Sequence, residues 1–226
     1  MLFLILGLLG TVPAAAFDSY TLALSWEPAF CKAKPSASEC ARANPDLPLT
    51  LHGLWPDQVD YCGVDSETAA IDRASTWCRL PEPSLSGATR SALDATMPGA
   101  ASCLDRHEWV KHGTCSELAA DGYFALAAAL VQAVAETHFG RYLRAHAGET
   151  VDAENALAAF EEDFGAGSRG KIALRCSTVG GKPTLLEVRV RLSARLRTAA
   201  EMGSMLLSAG RRGGCPTSFR LDSGRP

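Results

Sequence analysis

Eight cysteines, at positions 31, 40, 62, 78, 103, 115, 176 and 215, constrain this chain more than any other feature. An even number of cysteines behind an export signal implies disulfides formed in an oxidising compartment. Residues 1–16 read as that signal: Leu2 to Leu9 is an apolar core, and Ala14-Ala15-Ala16 supplies small residues for cleavage before Phe17. The basic residue that usually precedes such a core is missing, which points to a start further upstream. The apolar run is too short for an anchor, since a span needs roughly 20 apolar residues. No membrane contact is therefore expected once the signal is removed. Eight cysteines admit about a hundred pairings, so connectivity stays open at this point. Structural zinc is disfavoured because no Cys-x-x-Cys spacing occurs.

No internal repeat or low-complexity linker divides residues 17–226, so one domain is expected there. Tyr20 to Trp26 alternates apolar and polar residues, the pattern of a strand with one buried face. Leu49 to Leu54 reads as a second strand that delivers His52 near its end. Residues 56–86, rich in Pro, Asp, Ser and Cys, read as a long surface excursion held by disulfides. Helices are expected over 91–97, from Cys103 to about Gly113, over 121–139 and over 151–164. Ser102 followed by Asp105 suggests a capping box for the second, and Thr150 a cap for the last. Residues 171–176, 185–192 and 218–221 read as strands. Strands at both ends with helices between them predict an α+β fold around a central antiparallel β-sheet, packed by helices and stabilised by disulfides. Charge is uneven: residues 1–164 carry 10 basic and 22 acidic side chains, and residues 165–226 carry 12 basic and 3 acidic. The basic segment either attracts polyanions or forms solvated strand faces.

Two short stretches carry the chemistry. Leu51-His52-Gly53-Leu54-Trp55-Pro56-Asp57 is the first, and His107-Glu108-Trp109-Val110-Lys111-His112-Gly113-Thr114-Cys115 the second. Together they hold three of the five histidines. On a helix of 3.6 residues per turn, with His107 at the origin, Lys111 lies at about 40°, Glu108 at about 100° and His112 at about 140°. All four project from one side, leaving Trp109 and Val110 for the core. A zinc-peptidase motif would need its second histidine at 111, where a lysine stands and would repel a dication. RNA carries its own nucleophile, the 2′-hydroxyl, beside each phosphate, so proximity costs little. Two imidazoles then suffice as acid and base without a metal or any other cofactor. His52 and His112 suit those roles; Lys111, His107 and Glu108 suit the charge that develops on phosphorus oxygens. DNA, lacking the 2′-hydroxyl, is expected to be inert. Trp55 suits stacking on a base. Asp57 either accepts from a base edge or caps the Pro56 turn. His138 and His146 have no acid or metal partner in sequence and read as structural or surface residues.

These blocks resemble the two that define the ribonuclease T2 family of secreted and periplasmic endoribonucleases. Ser25-Trp26-Glu27-Pro28-Ala29-Phe30-Cys31 resembles the family's first strand, so the resemblance covers residues 18 to 222. Met97-Pro98-Gly99 ahead of Ser102-Cys103-Leu104 is most similar to its bacterial periplasmic ribonuclease I branch. The resemblance implies His52 as general acid, His112 as general base, His107 as a phosphate ligand, and Glu108 and Lys111 as transition-state stabilisers. It implies Trp55 and Asp57 at a base-binding subsite. Tyr61 is the candidate for the aromatic that usually joins them, although its spacing differs. Leu104 occupies a second base site where an aromatic is usual. It also implies Cys62–Cys115 and Cys176–Cys215 as disulfides, with Cys31–Cys40 as a local bridge and Cys78–Cys103 left over. The implied protein is a secreted or periplasmic monomer that cleaves single-stranded RNA through a 2′,3′-cyclic phosphate with broad base tolerance. Its rivals are an RNA-binding or toxin-like protein that kept only the scaffold, and a metal-dependent secreted hydrolase.

Overall fold

The computed structural model of the protein describes residues 17–42, 44–210 and 214–223, so the expected signal over residues 1–16 lies outside them. Strand β1 (Ser19–Trp26) is an interior strand of the main sheet, paired on both edges. Its even positions, Tyr20, Leu22, Leu24 and Trp26, are buried in the core. Its odd positions, Ser19, Thr21, Ala23 and Ser25, are all small. Because side chains alternate across a strand, one face of β1 builds the core and the other is a low floor.

Strand β2 (Leu49–Pro56) pairs antiparallel with β1. Strand β5 (Lys182–Ser193) also pairs antiparallel with β1, and β4 (Ile172–Val179) pairs antiparallel with β5. A short antiparallel pair, β3 (Thr150–Asp152) with β6 (Ser218–Arg220), joins β5 through one parallel bridge from Thr184 to Arg220. The expected α+β fold on a mainly antiparallel sheet is thus observed, with one parallel contact added. Helices α1 (Glu27–Ala33), α2 (Ser66–Arg73), α3 (Gly87–Thr96), α4 (Leu104–Lys111), α5 (Ala120–Ala135), α6 (His138–Ala145) and α7 (Ala153–Phe164) complete it. The core joins the apolar face of the sheet to α5, which buries Phe124, Ala127, Leu130, Val131 and Val134. No single helix among the described residues is long and apolar enough to cross a membrane.

Several helix boundaries differ from the sequence-based expectation for local physical reasons. The helix expected over 121–139 ends at Ala135, and Thr137 caps α6 by accepting from the Gly140 amide. A Cβ at Gly140 would lie 2.2 Å from the Val134 carbonyl oxygen, so the break needs glycine there. Thr150 does not cap α7; it pairs in β3, and Asp152 accepts from the Glu154 amide instead. The capping box expected from Ser102 and Asp105 does not form either. Cys103, the residue before α4, is left-handed with φ 62° and makes no side-chain cap. The Ser102 hydroxyl turns instead to Glu39 and Ser38. The disulfide Cys78–Cys103 fixes this entry from outside the helix.

All four bridges implied by the resemblance are present: Cys31–Cys40, Cys62–Cys115, Cys78–Cys103 and Cys176–Cys215. Cys62–Cys115 spans 53 residues, and closing such a loop in the unfolded chain is worth about 4 kcal/mol. The excursion over 56–86 is not irregular throughout. It contains α2, capped by Asp65 at the Thr68 amide, and a turn of 3-10 helix over Trp77–Arg79. Two bridges, through Cys62 and Cys78, tie it to the ends of α4.

Candidate active site

The site lies where β2 passes under α4. The pairing of β1 with β2 shifts register: Ala23 faces Gly53 and Leu24 faces Leu51, which leaves His52 without a partner. Such a bulge re-aims a side chain. His52 accordingly leaves the buried alternation of its strand, and its side chain is 37% exposed. Further along β2, Trp55 donates its indole N–H to Glu108 Oε2 at 2.7 Å. Gly53 makes this contact possible, because a Cβ there would lie 1.9 Å from Glu108 Oε2.

Helix α4 brings His107, Glu108 and Lys111 to the same place, and His112 follows at its C-terminal cap. Val110 is buried, and Trp109 packs toward Tyr123 and Phe124, as their helical positions require. Glu108 points inward and is fully buried. Its Oε1 has no hydrogen-bond partner among the described residues and lies 3.9 Å from His52 Nε2 and 3.8 Å from His107 Nε2. The Trp55 ring neighbours two of the imidazoles, 5.1 Å from His52 and 5.4 Å from His112, and His112 lies 6.2 Å from His107.

Sequence reasoning missed the groups that hold these histidines. His52 Nδ1 lies 3.0 Å from Glu187 Oε1 on β5. Arg189 donates its Nε to the other Glu187 oxygen at 2.7 Å and places its guanidinium carbon 5.0 Å from the centre of the Trp55 ring. His107 Nδ1 lies 2.7 Å from Asp72 Oδ1 on α2, and the His107 ring stacks on Trp77 at 4.5 Å. His112 Nδ1 lies 3.1 Å from Asp60 Oδ1, but out of line for a hydrogen bond. The excursion over 56–86 thus supplies carboxylates beside two of the three imidazoles.

These surroundings move the titrations apart. Burial pulls the His52 imidazole down, but the Glu187 hydrogen bond and the charges of Glu108 and Glu187 outweigh it, and the pKa ends above the ordinary 6.5. Burial pushes His112 down to about 3, reinforced by the positive charges of Lys111, His107 and His52. Burial also lowers His107, and Asp72 only partly offsets it. Burial raises the Glu108 carboxyl to about 7 despite the charges of His52 and Lys111 and the hydrogen bond from Trp55.

The remaining candidates have definite places. Asp57 accepts from Ser19, from Thr21 at 2.7 Å and from Arg191 at 3.1 Å, so its carboxylate is tied to the floor formed by β1 and β5. Tyr61 has φ 55° and donates its hydroxyl to Asp72 at 2.8 Å, with Arg73 over its ring. It therefore braces the His107 partner. Leu104 lines a cavity of about 260 Å³ that His52, Trp77 and Phe30 also line. His138 pairs with Glu162 on the surface and His146 bonds the Tyr142 carbonyl, both away from the site. Several arginines of the basic segment are partnered by carboxylates, Arg169 with Glu154 and Glu161 and Arg191 with Asp57. His107, Glu108 and His112 offer ligand atoms within 4.8 Å of one another, a spacing that a metal ion also fits.

Comparison with known proteins places this geometry. A sequence profile described as the Ribonuclease T2 family matches residues 17–202. The chain is 32% identical to ribonuclease I of Escherichia coli (strain K12) over 233 residues, covering 91% of this chain and 86% of that protein. An Aeromonas hydrophila ribonuclease is 35% identical over 53% of this chain and 47% of its own length. Among solved structures, a variant of ribonuclease MC1 in complex with 5'-GMP aligns with a TM-score of 0.61 and 25% identity, covering 90% of this chain and 100% of that one. A Nicotiana alata self-incompatibility ribonuclease aligns with a TM-score of 0.64 at 19% identity, covering 91% of this chain and 99% of that one, and shares the fold. The chain belongs to the ribonuclease T2 family and is an endoribonuclease of that type.

Proposed function

We propose that this chain is an exported endoribonuclease, secreted or periplasmic, that cleaves single-stranded RNA without a metal and forms a 2′,3′-cyclic phosphate. The observation that carries this reading is the convergence of His52, His107 and His112 on Glu108 and Trp55, with His52 and His112 displaced in opposite directions from the ordinary imidazole pKa. A neutral His112 takes the proton of the ribose 2′-hydroxyl. The freed oxygen attacks phosphorus, the bond to the 5′-oxygen breaks, and protonated His52 gives its proton to that leaving oxygen. Two products result, a cyclic phosphate and a 5′-hydroxyl, and water opens the ring in a second step. His107 holds a phosphate oxygen. Lys111, and Glu108 in its protonated form, stabilise the charge that gathers on the phosphorane.

Trp55 offers a face on which any base stacks, worth roughly 1–3 kcal/mol per base without sequence preference, which supports broad base tolerance. Asp57 and Tyr61 serve this subsite by holding its walls, since their polar groups are already engaged. Leu104 contributes to the second base site beside His52. DNA offers no 2′-hydroxyl and stays intact. Residues 17–226 act as one catalytic domain, and the protein works as a monomer.

A metal-dependent reading draws on the spacing of His107, Glu108 and His112. Against it stand Lys111, which presents a cation to the same site, and Asp72, which already engages His107. Digestion of RNA in excess chelator, with identification of the new 3′ ends, separates the readings. We expect full activity and cyclic termini. Loss of activity that zinc restores favours the metal, and intact RNA under all conditions favours a scaffold that only binds.

A further inference from the structure

We propose that Glu187 is the positioning residue of the general acid: it fixes the tautomer of His52 and keeps its imidazole protonated. The proposal rests on the assignment of His52 as the acid.

A carboxylate only accepts hydrogen bonds. With Glu187 Oε1 at 3.0 Å, His52 Nδ1 therefore carries a proton in both charge states. The proton that comes and goes is then the one on Nε2, the nitrogen that faces Glu108. A ring held this way always presents the same atom to the leaving oxygen, which is how an outer partner orients a working imidazole.

Glu187 is itself held in place. Its side chain is 13% exposed, and Arg189, two residues on and on the same strand face, binds its second oxygen at 2.7 Å. Burial raises the Glu187 carboxyl, but its bonds to His52 and Arg189 prevail and hold it below the ordinary value. The contact crosses an entire strand. Thr50 on β2 and Glu187 on β5 both pair with Ser25 of β1, while Gly53 and Arg189 both pair with Ala23. Only small residues on that face of β1 let the unpartnered His52 meet Glu187. The arrangement is a relay, Arg189 to Glu187 to His52, laid over the floor of β1.

Other charges also bear on His52. Glu108 and His107 approach it from α4 and His112 from the end of that helix, while Lys111 acts on those three groups. Arg189 opposes its protonation directly, and Glu27 and Glu39 line the adjoining cavity. Among the described residues, Glu187 is the carboxylate within hydrogen-bond reach of the His52 ring.

The test is the pH dependence of kcat/KM for the full chain on a dinucleoside phosphate, comparing wild type with Glu187→Gln and Glu187→Asp. An opposite charge at this distance moves a pKa by about 1–3 units. In Glu187→Gln the basic limb therefore moves to lower pH by about one unit or more, while activity on the acidic plateau changes by less than about threefold. Glu187→Asp restores part of the limb. Nitrogen NMR of the wild type gives a second readout, a protonated Nδ1 on His52 both below and above its titration. A purely structural role lowers activity equally at every pH and leaves the limb in place. An unmoved limb in folded Glu187→Gln, or a neutral His52 carrying its proton on Nε2, overturns the proposal. Retention of activity by His52→Ala instead overturns the acid assignment on which it rests.

Discussion

The strand end and the helix end of this site treat the same side chain in opposite ways. His52 is the unpaired residue of a bulge, more than a third exposed, with Glu187 at one nitrogen and Glu108 toward the other. His112 closes α4, is 8% exposed, and has no hydrogen bond at Nδ1 among the described residues. A helix C-terminus favours a cation by about 0.3–1 kcal/mol. The displacement of His112 from 6.5 to about 3 corresponds to roughly 5 kcal/mol in the other direction. Burial beside Lys111 and two other imidazoles therefore prevails over the helix dipole. The pair divides into a ring that keeps its proton and a ring that stays free of one, as the proposed acid and base require, and the division comes from surroundings rather than residue type.

The sharpest way to break this comparison is to remove either ring. His52→Ala and His112→Ala should each lower kcat by about 10²–10⁴-fold while circular dichroism and melting stay near wild type. A variant with near-full turnover removes its residue from the proton path. The pH dependence of kcat/KM in the wild type sharpens the same point. It should show an acidic limb near pH 3 from His112 and a basic limb above 6.5 from His52.

Glu108→Gln comes next, with an expected loss of about 10²–10³-fold in kcat, because the amide lacks the acidic hydrogen that a protonated carboxyl offers the phosphorane oxygens. Its stability should move the other way. The folded pKa of Glu108 is raised to about 7 from 4.5, so the native state holds a proton that the unfolded chain releases within that window. Stability from this group is present below pH 4.5 and is lost as pH rises through 7. The variant avoids that loss and should unfold about 1–3 kcal/mol harder than wild type above pH 7, with no advantage below 4.5. Denaturant titrations at the two pH values measure this directly. His112 has the opposite slope: its folded pKa is depressed, so the native state loses stability as pH falls below 6.5.

Smaller effects should come from the excursion over 56–86. Asp72→Asn removes the charge 2.7 Å from His107 Nδ1 and should raise KM by about tenfold with a lesser change in kcat, read from steady-state kinetics. Tyr61→Phe removes only the hydroxyl that donates to Asp72 and should cost about 0.5–1.5 kcal/mol in stability. If Tyr61→Phe exceeds Asp72→Asn in its effect on KM, Tyr61 touches substrate itself.

Much of the fold was legible because β1 alternates strictly and because α4 carries its site residues at helical spacing. The strands expected at 49–54, 171–176, 185–192 and 218–221 are observed at Leu49–Pro56, Ile172–Val179, Lys182–Ser193 and Ser218–Arg220. Local boundaries were less legible. Ser102 has the chemistry of a cap but turns to Glu39, and Thr150 has it too but pairs in a sheet. In both cases tertiary partners displaced a local preference. The groups proposed to meet substrate were legible in two short blocks, while the residues that hold them were not. Glu187 and Arg189 read only as polar positions of an alternating strand, and their meeting with His52 across β1 depends on a register shift that no local pattern encodes. Asp72 was hidden in a stretch read as surface excursion, although α2 has an Asp65 cap that sequence does display.

An NMR titration of the imidazole carbons of His52 and His112 in the wild-type protein, assigned through the two alanine variants, tests the central division most directly. His52 should titrate above 6.5, while His112 should remain neutral from neutral pH down to about 3. A His112 that gains its proton at a higher pH than His52 would contradict the assignment of base and acid.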